Sequence, residues 1–174
     1  MKYFVKIIVV TVLLFISTTT FAEQKIVVLD LKYVLNNSKA GKGAQDFLKK
    51  SFNDNAKKFA NIEKSLKDEE KDLIEKKTVL SKEDYIKKSK GLREKVMKYQ
   101  TERRSSLDKI AKQRAESKAK LLKVLTPIID EYINSNQISL VIDKKDMLGG
   151  LKEYDITKVI VDKLDKKLPS LNLK

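Results

Sequence analysis

A chain of 174 residues with 38 Lys and Arg against 24 Asp and Glu has a formal net charge of +14, which points to partners of negative charge. It contains no His and no Cys, so the usual general base near neutral pH, the commonest metal ligand, thiol nucleophiles and disulfides are all excluded. Five Gly, two Pro and no Trp, among many Lys, Leu, Ile, Glu and Asp, suit long helices better than a globular core.

Residues 1–22 place Lys2 and Lys6 before an apolar run over 7–16, broken only by Thr11, and then Ser17, Thr18, Thr19 and Thr20 before Phe21 and Ala22. That order is a positive n-region, an apolar h-region and a small-residue cleavage site. Thr20 and Ala22 occupy the two positions before the cut that require small side chains, so the expectation is a signal peptide cleaved after Ala22. A membrane-spanning helix needs about 20 consecutive apolar residues, and this run is shorter. Cleavage turns 38 basic residues into 36 against 24 acidic ones, a mature net charge of +12. Export separates the chain from cytosolic nucleotide, and no Gly-rich phosphate loop is present, so no cofactor and no dependence on ATP are expected.

Residues 23–43 form the first part of a body. Ile26, Val27, Val28 and Leu29 make a short, largely β-branched run that reads as a buried strand over 25–31, closed by Asp30. Tyr33, Val34 and Leu35 start a helical turn, and Gly41 and Gly43 mark a junction where the chain changes direction.

Residues 44–134 are charged, with apolar residues at helical intervals. Phe52, Phe59, Leu66 and Leu73 are seven apart and share a stripe, while the companion positions Ala56, Glu63 and Glu70 leave a thin, half-polar seam. The pattern breaks near 76–85. Ser81 followed by Asp84 resembles a capping box in which Asp replaces Glu or Gln, so a second helix starts there. In it Tyr85, Leu92 and Tyr99 repeat by sevens with Val96 between, and after a phase shift Leu107, Leu121 and Ile128 continue the stripe. The reading is an antiparallel helical hairpin whose second helix, about fifty residues at about 1.5 Å each, extends roughly 75 Å into solvent. Gly91 is a weak point in it, and Pro127 predicts a kink.

Residues 135–174 return to the body. Asn134, Ser135 and Asn136 stop the helix, residues 138–142 form a second strand ending at Asp143, and Gly149 and Gly150 turn the chain. Asp155 is an N-cap for a last helix with Ile156, Val159, Ile160 and Leu164 on one face, ended by Pro169. Two flanks this short make a small core with exposed strand edges, and subunits joining through those strands would bury both, so a homo-oligomer is expected. The fold class is therefore α+β, mostly α: a small body with two strands, through which subunits join, carrying a long antiparallel coiled-coil hairpin.

Two stretches, KIVVLDLKYVLNNSKAGKGA over residues 25–44 and ISLVIDKKDMLGGLKEYDITKVIVDKL over residues 138–164, resemble the Skp/OmpH family of periplasmic chaperones. The likeness covers nearly the whole mature chain, although the arm matches in length and character rather than in residues. It implies a periplasmic trimer with a small β-rich oligomerisation body and three coiled-coil tentacles that enclose a cavity for unfolded outer-membrane proteins, holding them against aggregation before membrane insertion without enzymatic activity.

The arm offers a basis for holding a client. Residues 76–98 carry Lys76, Lys77, Lys82, Lys87, Lys88, Lys90, Arg93, Lys95 and Lys98 against Glu83, Asp84 and Glu94, a net of +6. Such a run is either a solvated face or an electrostatic capture surface for anionic clients, a membrane surface or lipopolysaccharide. Phe47, Phe52 and Phe59 read first as seam residues and second as a cavity lining. Carboxylates such as Glu69, Glu70, Asp72, Asp30 and Asp143 read as surface charges and turn formers, not as acid and base. Two alternatives share the composition. One is a structural envelope spacer; the other is a basic nucleic-acid-binding protein, which export and the lack of any base-reading motif disfavour.

Overall fold

The computed structural model describes residues 24–173, together with Tyr3. The expected signal peptide over residues 1–22 lies, Tyr3 apart, outside them. Strand β1 (Lys25–Leu29) leads into helix α1 (Leu31–Asn37), the long helices α2 (Lys39–Glu75) and α3 (Lys82–Ser135), strand β2 (Ile138–Asp143) and helix α4 (Thr157–Lys167). This is the expected α+β, mostly helical architecture, a long hairpin of α2 and α3 rising from a small body.

The strands are parallel, with Val27 opposite Val141 and Val28 opposite Ile142, so the entire arm is the crossover between them. β1 stops at Leu29 because Asp30 turns the chain: its carboxylate accepts from the N–H of Tyr33 at 2.7 Å and caps α1. The sequence reading puts the next change of direction at Gly41 and Gly43, but it occurs at Ser38. Extended Ser38 separates α1 from α2, and its buried hydroxyl accepts from the N–H of Gly41 at 3.2 Å, so both glycines lie inside α2. The carboxylate of Asp165, from α4, takes the N–H of Lys39 at 2.6 Å and places negative charge at the α2 N-terminus.

The two ends of the chain are stitched together. The Asp30 N–H donates to the Thr157 hydroxyl at 2.9 Å, and the Ile156 N–H donates to the Val28 carbonyl at 2.9 Å. Under them lies one core, in which Val34, Leu125, Ile160 and Leu164 are completely buried. Leu121, Leu125 and Ile128 belong to α3, so the base of the arm is built into the body and the hairpin is anchored by burial of apolar surface. On α4, Ile160 and Leu164 enter the core, whereas Val159, expected beside them, faces outward. Helix α3 continues through Pro127, and the Thr126 hydroxyl donates to the carbonyl of Leu122 at 3.0 Å.

Along the arm the stripe of α2 is half right. Phe59 is buried and Leu66 and Leu73 are half-buried, but Phe52 is 52% exposed, and the companion row runs through Asn55 and Ile62 rather than through Ala56, Glu63 and Glu70. On α3 the seam follows Tyr85, Leu92, Val96 and Tyr99 as expected and then Ser106, Ile110 and Ser117, leaving Leu107 45% exposed. The phase shift comes after Ser117, where the buried positions step by four to Leu121 and Leu125. Small and polar side chains hold the seam at Ser106 and Ser117, so an apolar count moved it to Leu107.

Candidate functional site

The tip is a designed turn in the chain. Lys76–Thr78 makes one 3-10 turn, the Leu80 N–H donates to the Lys76 carbonyl at 3.0 Å, and Ser81 starts α3. The Ser81 hydroxyl accepts from the Asp84 N–H at 3.1 Å and donates to the Asp84 carboxylate at 2.6 Å, which realises the expected cap through the side chains. All nine basic residues singled out from the sequence are exposed on this tip or on the first turns of α3. Lys76 is matched by Asp72 at 2.6 Å, Lys95 by Glu69 on the facing helix at 2.6 Å, and Lys98 by Glu102 at 3.9 Å. Among the described residues Lys77, Lys82, Lys87, Lys88, Lys90 and Arg93 form no ion pair, and their charge faces water.

Sequence reasoning missed the apolar side chains between these cations. Val79 at the turn is 78% exposed, and Ile74, Ile86 and Met97 are also exposed. The signal was present: Ile86 and Met97 are apolar but fall off the stripe of sevens through Tyr85, Leu92 and Tyr99.

Halfway down, an open cleft of about 200 Å³ lies between the helices, walled by Phe52, Phe59, Tyr99 and Leu107. The rings of Phe59 and Tyr99 meet edge to face at 6.0 Å. The Tyr99 hydroxyl donates to Glu63 at 3.2 Å, and Lys67 pairs with the same carboxylate at 2.8 Å. These two hydrogen bonds, Lys67 first, hold the Glu63 carboxyl below its usual range, and Glu63 in turn raises Lys67. Glu63 and Glu69 therefore bridge the two helices through Tyr99 and Lys95, whereas Glu70, expected on the seam, is exposed. Of the three phenylalanines, Phe59 is a seam residue, Phe47 is half-buried and Phe52 lines the cleft.

The body leaves a second surface open. One edge of β1 is taken by β2 and the other by the single bridge from Val28 to Asp155, while among the described residues no strand pairs with the far edge of β2. Ile26 and Leu140, partners in the register, are 41% and 52% exposed on the sheet, and Leu148, Leu151 and Tyr154 stand exposed on the following loop. Asp155 pins that loop: one oxygen accepts from the Thr157 N–H at 2.9 Å and the other takes Lys144 at 2.7 Å.

Of the five carboxylates read as surface charges and turn formers, Glu70 is exposed and the other four hold structural positions. Asp30 caps α1, Asp143 accepts from the Lys145 N–H at 3.2 Å, and Glu69 and Asp72 sit in ion pairs. Among the described residues no helix is long and apolar enough to cross a membrane.

A long two-helix arm on a small mixed body is the fold of a solved OmpH-like protein of Caulobacter crescentus CB15. The two superpose with a TM-score of 0.79 over 88% of this chain and 90% of the other, at 18% identity. The Skp-like protein of Pseudomonas aeruginosa is 23% identical over 166 residues, covering 95% of this chain and 99% of that one. The family described as outer membrane protein (OmpH-like) matches residues 25–164. The chain belongs to the OmpH-like family.

Proposed function

We propose that the mature chain is a periplasmic holdase chaperone that binds unfolded outer-membrane proteins and keeps them from aggregating before insertion, without ATP, cofactor or enzymatic step. The observation that carries this reading is the arm, a hairpin whose longer helix of 54 residues spans about 80 Å and which carries unpaired cations and exposed apolar side chains together. Cations accelerate encounter with anionic chains over a Debye length of about 8 Å, and apolar side chains then hold whatever unfolded surface arrives. Neither element selects a sequence, as a promiscuous binder requires.

The assembly is a homotrimer joined through the open sheet face and the free edge of β2, which places several arms around one client. The tip cations also serve as the contact for an anionic membrane surface or lipopolysaccharide. The tentacle comprises residues 44–134, between body segments 23–43 and 135–174, and the signal peptide ends at Ala22.

The test is native mass of the mature protein, alone and after dilution of a urea-unfolded outer-membrane β-barrel protein into its solution. The expected result is a trimer that forms a discrete soluble complex with the client. An oligomer that leaves the client to precipitate supports an envelope spacer instead.

A further inference from the structure

We propose that the cleft halfway along the arm is a slot for one aromatic side chain of an extended, unfolded segment, with Arg103 on its rim receiving a carboxylate beside that side chain. The inference rests on the holdase reading and gives it a defined subsite.

Size comes first. At about 200 Å³ the cleft is below the roughly 300–1,000 Å³ of ordinary small-molecule pockets, so a single side chain suits it better than a cofactor. Small side chains leave it open: Ser106 on the seam and the exposed Ala56 beside it both line the cleft between larger neighbours. Phe52 and Leu107 flank the opening and stay half in water, although each could have been drawn inward had the helices closed. The walls suit an aromatic ring. Phe59 and Tyr99 already meet edge to face beside the cleft; Phe59 is buried and has Lys58 over its ring, so a third ring would meet chiefly Tyr99 and the half-exposed Phe52.

Charge then gives the rim a direction. The Glu63 carboxylate is held in contact by Lys67 and by the Tyr99 hydroxyl, while Arg103 acts on it through space, after Lys67 and Tyr99, and makes no contact ion pair among the described residues. The rim therefore carries a guanidinium with no contact partner, whose hydrogen-bond donors are open to a carboxylate from a residue adjoining the buried ring. Unfolded chains offer aromatic and acidic neighbours widely, so the slot gives grip while remaining tolerant of sequence.

The chain contains no Trp, so emission from a Trp-containing peptide reports the peptide alone. Two acetylated, amidated heptapeptides, one with Glu next to a central Trp and one with Gln there, are titrated with the mature protein. Both are expected to shift to the blue and saturate, the Glu peptide at lower concentration. Ser106→Leu and, independently, Ala56→Leu fill the slot with a good helix former, and each is expected to weaken both peptides by about tenfold or more with the helical circular dichroism retained. Arg103→Gln is expected to weaken only the Glu peptide, by about two- to fivefold. Binding that is absent in the unmodified chain, or undiminished in the folded filled variants, overturns the slot. Suppression of client aggregation is measured on the same samples. If suppression persists while the peptides ignore slot filling, the subsite fails and the holdase reading stands; if suppression is absent in the unmodified chain, the holdase reading fails whatever the peptides do.

Discussion

Gly41 is packed onto the carbonyl of Leu35 across the break between α1 and α2, so closely that a Cβ there would overlap the carbonyl oxygen. The obstacle is backbone and cannot swing aside as a side-chain tip would. Gly41→Ala gains about 1 kcal/mol of helix propensity but forces a shift of the kind that costs about 1–3 kcal/mol or more, so a net loss of stability is expected. Gly43, two residues on, has nothing within 4 Å of such a Cβ, and Gly43→Ala is expected to stabilise. Urea unfolding of the pair decides it: equal gains at both positions would show that α1 does not bear on α2 here.

Asp155 gives the body an acid-sensitive clasp. Burial acts to raise its carboxyl, but the hydrogen bonds from Lys144 and Thr157 outweigh it and hold the group below its ordinary value. A carboxyl lowered on folding contributes stability that is complete above the unfolded value, about 3.9, and is lost as pH falls through the folded one. Asp155→Asn keeps an oxygen for the Thr157 N–H but cannot titrate. Its unfolding midpoint is therefore expected to be lower than that of the unmodified chain near neutral pH and to converge with it as pH falls from the unfolded value through the lowered folded one. A constant gap across that range would show that the charge on Asp155 does not stabilise the fold.

Gln137, just past the end of α3, is held at φ 52°, in the left-handed region where a side chain is strained. Its side chain is exposed, so Gln137→Gly is expected to relieve the strain and stabilise by about 0.5–1 kcal/mol. Gly91 is the opposite case, a glycine inside α3 with open space where a Cβ would go, and Gly91→Ala is expected to add about 1 kcal/mol. Thermal unfolding checks both, and a loss at either site would contradict the local geometry.

Periodicity and the Ser81 cap were enough to find the arm, because the seven-residue spacing of Phe59, Leu66 and Leu73 and that cap act within one or two turns; Asp155, expected to cap α4, stands one residue before its N-cap, Ile156. Most of what escaped was set by distance in sequence. The Ser38 cap on the Gly41 N–H is local and was passed over, but the hold of Asp165 on the Lys39 N–H and the parallel pairing of β1 with β2 join residues on either side of the whole arm. No local pattern carries that information. The seam was misplaced at Leu107 for another reason: Ser106 and Ser117 occupy interface positions where hydrophobicity is no guide, and Ser117 satisfies its hydroxyl on the Gln113 carbonyl at 2.7 Å. At the site, charge was legible residue by residue, whereas the exposure of Val79 and Phe52 depends on how two helices lean together.

If the unpaired cations of the tip steer clients, capture should slow with salt. The Debye length shrinks from about 30 Å at 0.01 M to about 3 Å at 1 M, and steering of this kind changes association rates by about tenfold or more. Replacing Lys77, Lys82, Lys87, Lys88, Lys90 and Arg93 by Gln is expected to lower the stopped-flow association rate at low salt and to flatten its salt dependence, with dissociation little changed. The matched cations Lys76 and Lys95 serve as the comparison, since their neutralisation should alter the arm's cross-links more than its reach. An unmodified chain whose association rate is the same at both ends of the salt range has no electrostatic capture.

The exposed pair of Ile26 and Leu140 makes a sharper demand on the assembly. Both lie on the sheet face left uncovered by the core, next to the unpaired edge of β2, and covering them in a second subunit would remove apolar surface from water at about 25 cal/mol per Å². Leu140→Asp puts a charge on that face at a position already in contact with water, so a lone chain should keep its helical content and its fold. In an assembly the same carboxylate would be buried without a partner, a penalty of several kcal/mol per subunit. The expected result by native mass and sedimentation is a folded monomer. Ile86→Asp, equally exposed but at the tip, should leave the oligomer intact. If the two substitutions behave alike and the native mass of Leu140→Asp is unchanged, the subunits meet elsewhere, and the open sheet face must be explained without a second copy of the chain.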